Sequence, residues 1–210
     1  MKILNLYCSI GGNRKLWTPK GDEHEITAVE IDPKIAEIYQ DYFPNDTVIV
    51  GDAHQYLLDH FNEFDFIWSS PPCPSHSRLN TSISQDENKT QNRLKIQYPD
   101  MKLWQEIILL QQFFKKGMYC IENVIPYYKP MFGPQIIDRH CFWANFYIHE
   151  MPKEQSKHEM GVTEGLNLMG YDLSKYSGID KRKTMRNCVW PKVGKHILDS
   201  ATKNIQDKLF

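Results

Sequence analysis

Along the first seventy residues, short apolar runs alternate with segments of helical period. KILNLYC (residues 2–8) is apolar and breaks at the turn Ser9-Ile10-Gly11-Gly12. HEITAVEI (24–31) is a second run. DPKIAEIYQDYF (32–43) follows, with Pro33 in a first-turn position and Ile35, Ile38, Tyr39 and Tyr42 at helical spacing. TVIVG (47–51), the helix-like AHQYLLDHF (53–61) and the apolar FDFIWSS (64–70) repeat the alternation. Strands that are apolar throughout, separated by helices, predict a parallel sheet covered on both faces.

The pattern then changes. Residues 71–99 are polar without a sustained period, and a loop of that length inside a compact domain is usually functional or mobile. DMKLWQEIILLQQFFKKG (100–117) places Leu103, Ile107, Leu110 and Phe114 on one helical stripe. MYCIENV (118–124) reads as a fifth strand and RHCFWANFYI (139–148) as one or two more. Residues 150–182 are polar and irregular, and the tail from Val189 to Leu209, interrupted by Pro191 and Gly194, carries a final helix. The expected organisation is a catalytic and cofactor-binding domain at 1–149, a short insert at 150–182 and a C-terminal segment at 183–210 that folds back.

Bulk charge, a net −1, does not advertise a polyanionic partner, but its distribution does more. Residues 1–105 hold 10 basic and 15 acidic side chains, whereas Lys175–Lys203 holds eight basic and two acidic ones. The C-terminal part is thus compatible with phosphate contact. Five widely spaced cysteines without a CxxC pair point to a reduced, cytoplasmic setting, and the eight histidines show no zinc spacing, so no metal is expected. No apolar run is long enough to span a membrane.

Candidate chemistry gathers at the strand ends, where open parallel sheets bind ligands. The Tyr7–Gly12 turn lets a ligand approach the backbone, Glu30 ends the second strand, and Asp52 follows the third. A carboxylate in the first place suits ribose hydroxyls, and one in the second suits an adenine amino group. A third glycine and a GK[ST] motif are both missing, which argues against a dinucleotide or a triphosphate. Ser69-Ser70-Pro71-Pro72 is stiff and extended, and presents Cys73 at the rim of the same crevice. Glu122 ends the buried fifth strand, where a carboxylate is costly unless partnered or used as an acid.

In chain order, LYCSIGG, VEIDP, GD, SSPPC, ENV, RHCFWANF and RNCVWPKVGK resemble the cytosine carbon-5 DNA methyltransferase family, in a small, phage-type form. The resemblance implies a Rossmann-like α/β fold, with a mostly parallel sheet and helices on both faces, that uses S-adenosyl-L-methionine. By position, Tyr7, Ser9, Ile10, Gly11, Gly12 and Pro72 would line the donor pocket. Glu30 would hold the ribose, Ile31 would pack on adenine and Asp52 would take its amino group. Asn187 and Val189 would complete the pocket. Cys73 matches the nucleophile, Glu122 the acid that engages the base, and Arg139 the basic residue beside it, while Ser77, Arg78 and Asn123 would face the substrate.

Implied with these roles are double-stranded DNA as partner, a flipped-out cytosine, and a bacterial or phage-infected cytoplasm, as in restriction-modification or phage systems. Two other readings compete. An exocyclic-amino DNA methyltransferase acting on adenine N6 or cytosine N4 is suggested by Ser70-Pro71-Pro72. A catalytically idle nucleic-acid-binding relative is the third reading, and retention of Cys73, Glu122 and Arg139 speaks against it. The chain departs from the family at Pro74, where glutamine is usual, and at Ser9, where glycine is usual. The interval from Phe146 to Asn187 is also short for a target-recognition region. That interval, with Lys153, Lys157, Lys175, Lys181, Arg182 and Lys183, predicts phosphate contact with weak sequence selectivity, or help from a second subunit or homodimer.

Overall fold

KILNL and FIWS carry apolar side chains at successive positions because each strand is covered on both faces. In the computed structural model, which describes residues 1–17, 24–78, 98–151 and 160–207, seven strands form one sheet. They are β1 (Lys2–Leu6), β2 (Glu25–Glu30), β3 (Thr47–Val50), β4 (Phe66–Ser69), β5 (Met118–Val124), β6 (Gln135–Ile137) and β7 (His140–Ala144). Their order is β3-β2-β1-β4-β5-β7-β6, with β7 antiparallel to both neighbours and the first five strands parallel. The chain direction across the sheet reverses between β1 and β4, which places a crevice at their carboxyl ends.

Helices α1 (Pro33–Tyr42), α2 (Ala53–His60) and α3 (Lys102–Phe113) connect the parallel strands. Asp32 caps α1 by accepting from Lys34 N, and Pro33 fills its first turn, as the sequence predicts. On one face Leu4, Leu6, Ile67 and Ile121 pack against Leu57 of α2 and Leu103, Trp104, Ile107 and Leu110 of α3. On the other, Ile3, Phe66, Trp68 and Met118 pack against Trp17 and against Ile197 and Leu198 of the last helix.

Two expectations are corrected. Residues 150–182 are not irregular throughout: α4 (Val162–Leu168) lies within them and α5 (Lys181–Asn187) begins there. Only Gly165 and Leu166 of α4 are buried, too few positions to print a helical period on the sequence. Gly194 does not interrupt the tail, since α6 runs from Pro191 to Asp207. A Cβ at Gly194 would lie 2.1 Å from Asn13 O, so glycine is there to let α6 press against the 3-10 turn at Asn13–Leu16. Trp17 Nε1 donates to Gly194 O at 3.0 Å across the same contact. Strand β6 is an exposed three-residue edge with no apolar alternation, and was not visible in the sequence.

Candidate active site

The turn after β1 closes on itself through Gly11 N, which donates to Cys8 O at 2.9 Å, and is held further by its neighbours. Tyr7 and Ser9 both adopt the left-handed conformation, at φ 54° and 49°. Glu30 fixes this geometry: its carboxylate accepts from Ser9 N at 2.9 Å, Ile31 N at 2.9 Å and Asp32 N at 3.0 Å. Ile31 beside it is 69% exposed, an apolar plate at the strand end. Asp52 caps α2 through one oxygen, which accepts from His54 N and Gln55 N, and its other oxygen meets Lys102 Nζ at 3.1 Å. The Lys102 hydrogen bond holds the Asp52 carboxyl below its ordinary range. Ile10 is fully buried with Ile38, Met185 and Cys188, so its side chain faces the core.

The C-terminal segment reaches this turn. A Cβ on Gly12 would sit 2.2 Å from Cys188 Sγ and 2.3 Å from Val189 O. Cys188 and the half-buried Val189 are therefore pressed onto the β1 turn, while Asn187 is exposed. Lys15 reinforces the contact by donating to Gly170 O at 3.0 Å while lying over the rings of Tyr42 and Tyr171, at 4.4 and 4.3 Å.

Cys73 belongs to a segment lashed to the end of β5. Asn123 donates to Pro71 O at 2.9 Å and accepts from Val124 N, Tyr127 N donates to His76 O, and Arg78 Nε donates to Pro126 O at 3.2 Å. Ser77 bridges to Pro126 in the same seam. The amides of His76 and Ser77 close a turn on Cys73 O. Pro72 is exposed, while the Cys73 side chain is half-buried. Burial raises the Cys73 thiol above its ordinary value, and the charge of Glu122 adds to that. Glu122 itself is 8% exposed and meets His140 Nε2 at 3.7 Å. Arg139 occupies the exposed turn before β7.

The family model for C-5 cytosine-specific DNA methylases matches residues 1–126, from the first strand through the Glu122-Asn123-Val124 strand end. The chain belongs to that family. Solved structures similar to this chain include a DNMT2 mutant from Spodoptera frugiperda, at 24% identity and a TM-score of 0.39 over 59% of this chain. Another is the methyltransferase EhMeth of Entamoeba histolytica, at 16% identity and a TM-score of 0.38 over 59% of this chain. The chain spans 35% and 38% of the length of those two structures. No curated protein matches it.

The crevice chemistry suits the family's methyl donor. An exposed apolar plate, Ile31, stands beside the Glu30 acceptor, and Asp52 offers a second, half-exposed carboxylate. That combination fits a purine nucleoside, which has a flat face, hydroxyl donors and an amino donor. On the far side of Glu122 a pocket of about 220 Å³ is lined by Ile137, His140, Phe142, Val189 and Trp190. No helix among the described residues is long and apolar enough to cross a membrane.

Three residues were missed in the sequence. His140, next to the expected Arg139, is the base that stands against Glu122. Glu106 is fully buried on α3 and accepts from Tyr7 Oη at 2.7 Å and Ser69 Oγ at 2.6 Å, with His54 Nδ1 at 3.0 Å. For Glu106 and His54 a signal existed: the acid sits on the apolar stripe of α3, between Leu103 and Ile107, where it must have partners. Residues 79–97, most of the polar loop after Cys73, lie outside the described residues, together with Lys153 and Lys157.

Proposed function

We propose that this chain transfers a methyl group from S-adenosyl-L-methionine to carbon 5 of cytosine in double-stranded DNA, through a covalent Cys73 adduct on a flipped-out base. The observation that carries this reading is the seam between the Pro71-Pro72-Cys73 segment and the end of β5, which puts Cys73 under the charge of Glu122. A thiol and a carboxyl so coupled, at the rim of a nucleoside-type crevice, suit attack on an electron-poor ring more than transfer to an exocyclic amine.

Carbon 5 of cytosine is a weak nucleophile until carbon 6 is attacked. The Cys73 thiolate adds there, forming an S–C bond, and covalent catalysis splits one hard step into easier ones. Glu122 takes the proton that the Cys73 thiol gives up and passes it to ring nitrogen 3, which stabilises the charge that develops in the ring, and takes it back when Cys73 leaves. The donor supplies an electrophilic methyl group. After transfer a base removes the proton on carbon 5, and Cys73 leaves. The elevated thiol fits this order: once Glu122 is protonated its charge no longer opposes the thiolate. His140 Nε2 stands 3.7 Å from Glu122, so a proton passes between them only once the two close to hydrogen-bond distance. Arg139 is assigned to the same end of the site, and Ser77 and Arg78 to the substrate side. The ring atoms cannot be reached inside a duplex, so the base must leave the stack.

Donor binding is assigned to Tyr7, Ser9, Gly11 and Gly12, with Ile10 contributing backbone only, and to Glu30, Ile31, Asp52, Pro72, Asn187 and Val189. Residues 1–149 would form the catalytic unit, 150–182 the DNA-contacting insert and 183–210 the closing segment. The short insert supports weak sequence selectivity, or a second subunit that completes recognition.

The test is incubation with tritiated methyl donor and duplexes carrying 5-fluorocytosine, on which the final proton loss is blocked. An SDS-stable adduct, absent in Cys73→Ser, is expected. Methyl transfer to an exocyclic nitrogen without an adduct would overturn the reading, as would a protein that binds donor and DNA yet transfers nothing.

A further inference from the structure

We propose that Glu106, which the chemistry above leaves unused, is the positioning residue that locks three pocket-forming segments in their donor-binding arrangement. The proposal rests on reading the strand-end crevice as the methyl-donor site.

Glu106 lies on the inner face of α3, among Leu103, Trp104, Ile107 and Leu110, with no exposed surface. A buried carboxylate is a poor way to fill a core, because an apolar side chain of like size would stabilise the fold as well or better. What it does offer is acceptor capacity in several directions. Each of its three partners comes from a different segment at the crevice. Tyr7 directly follows β1, Ser69 is the last residue of β4 and lies four positions before Cys73, and His54 lies two positions after Asp52. One side chain therefore joins the donor turn, the nucleophile segment and the Asp52 corner from beneath.

Tyr7 shows why such a lock is needed. A bulky aromatic residue at φ 54° is strained, and persists only where its surroundings over-determine it. On one side of the strain Cys8 N donates to Val29 O at 3.1 Å and Ser9 N donates to Glu30. On the other the Tyr7 hydroxyl is held by Glu106. Burial, then the Glu106 charge, keeps that hydroxyl a phenol, so it remains a donor. Without Glu106 the Tyr7 hydroxyl loses its anchor, and Tyr7 and Ser69 lose their common reference point.

The experiment measures S-adenosylhomocysteine binding by calorimetry on the full chain, with steady-state KM for donor and for DNA, and thermal midpoints. Glu106→Gln keeps the volume but turns an NH2 donor toward groups that donate. We expect its donor affinity to fall about tenfold to a hundredfold, the scale of a misplaced site, with donor KM rising and DNA KM unchanged. Tyr7→Phe alone weakens binding less, and added to Glu106→Gln it costs little further, because both remove the same contact. Phe66→Leu, at the opposite end of β4, serves as the stability control: it lowers the thermal midpoint and leaves donor affinity unchanged.

Wild-type affinity in Glu106→Gln, measured where that variant is folded, would overturn the proposal. Should Glu106→Gln not fold, unchanged affinity in both Tyr7→Phe and Ser69→Ala overturns it instead. If the wild-type chain binds no S-adenosylhomocysteine, the donor-site reading fails first and takes the positioning role with it. That outcome is distinct from a wild type that binds beside a variant that binds equally well.

Discussion

At the ends of β1 and β2 the polar groups already have partners: Glu30 takes three backbone amides, and Glu106 takes a phenol and a hydroxyl, with His54 against it. At the ends of β4 and β5 the backbone is lashed just as firmly, yet the reactive groups are not. Cys73 is half-buried with its thiol raised, and Glu122 has its imidazole neighbour at 3.7 Å, beyond a direct hydrogen bond. On the proposed reading the donor end is thus preorganised, and the base end holds its segments in place while leaving the chemistry to be completed by substrate. On the proposed mechanism the charge of Glu122 adds to burial in keeping the Cys73 thiol protonated, until Glu122 takes up a proton for the incoming base.

Removing the nucleophile breaks the comparison most cleanly. Cys73→Ser should reduce methyl transfer to background while leaving S-adenosylhomocysteine binding intact, because the exchange removes the thiol and keeps the backbone ties of its segment to the end of β5. Transfer is read by tritium incorporation and binding by calorimetry. Glu122→Gln should cost about 10²- to 10⁴-fold in kcat, the usual span for a lost general acid. The same substitution removes the charge that raises the Cys73 thiol, so alkylation of Cys73 by iodoacetamide at pH 8 should become faster. A variant that is slower in both reactions would show that Glu122 does not act on the thiol electrostatically.

Much of the donor end was legible because strand-end acids and a glycine turn leave a pattern. Pro33 announced α1, the run of strands announced the sheet, and Glu30, Ile31 and Asp52 lie at the strand ends where the sequence put them. The base end was less legible. Cys73 and Glu122 stand out by residue type, but the ties between Asn123 and Pro71 and between Arg78 and Pro126 span 52 and 48 residues, and no local pattern encodes them. His140 was passed over for Arg139 because strand β7 starts one residue later than a sequence reading can resolve, and the alternation decides which side chain faces Glu122. Helix α4 and strand β6 were invisible because each is short and buries few side chains or none fully, so neither needs a hydrophobic period.

Titration gives a milder probe of the same contrast. Burial keeps the Cys73 thiol protonated above its ordinary value of 9.0, so its alkylation should climb about tenfold per pH unit from pH 7 to 9 without a plateau. A plateau below pH 8 would mean a thiolate already stabilised at rest. The sign for stability follows from the same shift. The folded state holds the proton more tightly than the unfolded chain, so this contribution is complete below about pH 9 and is lost as pH rises through the folded value. The fully buried Cys120, raised by burial and then by Glu122, acts in the same direction. Urea midpoints between pH 7 and 10 should therefore fall at the alkaline end, and fall less in Cys120→Ala once its own cavity cost is subtracted.

The smallest effect is expected where the donor end meets solvent. Lys102 and Asp52 are both nearly half exposed, so their ion pair is worth at most about 1 kcal/mol and is screened by salt. Lys102→Ala should hardly move the thermal midpoint, because the Asp52 oxygen that caps α2 is the other one, still accepting from His54 N and Gln55 N. It does free the oxygen proposed to receive the adenine amino group. Donor affinity should therefore rise slightly at low salt, and the difference from wild type should vanish at high salt, as calorimetry in a salt series would show. Weaker binding in Lys102→Ala at every salt concentration would mean that the lysine, rather than the carboxylate, meets the nucleoside.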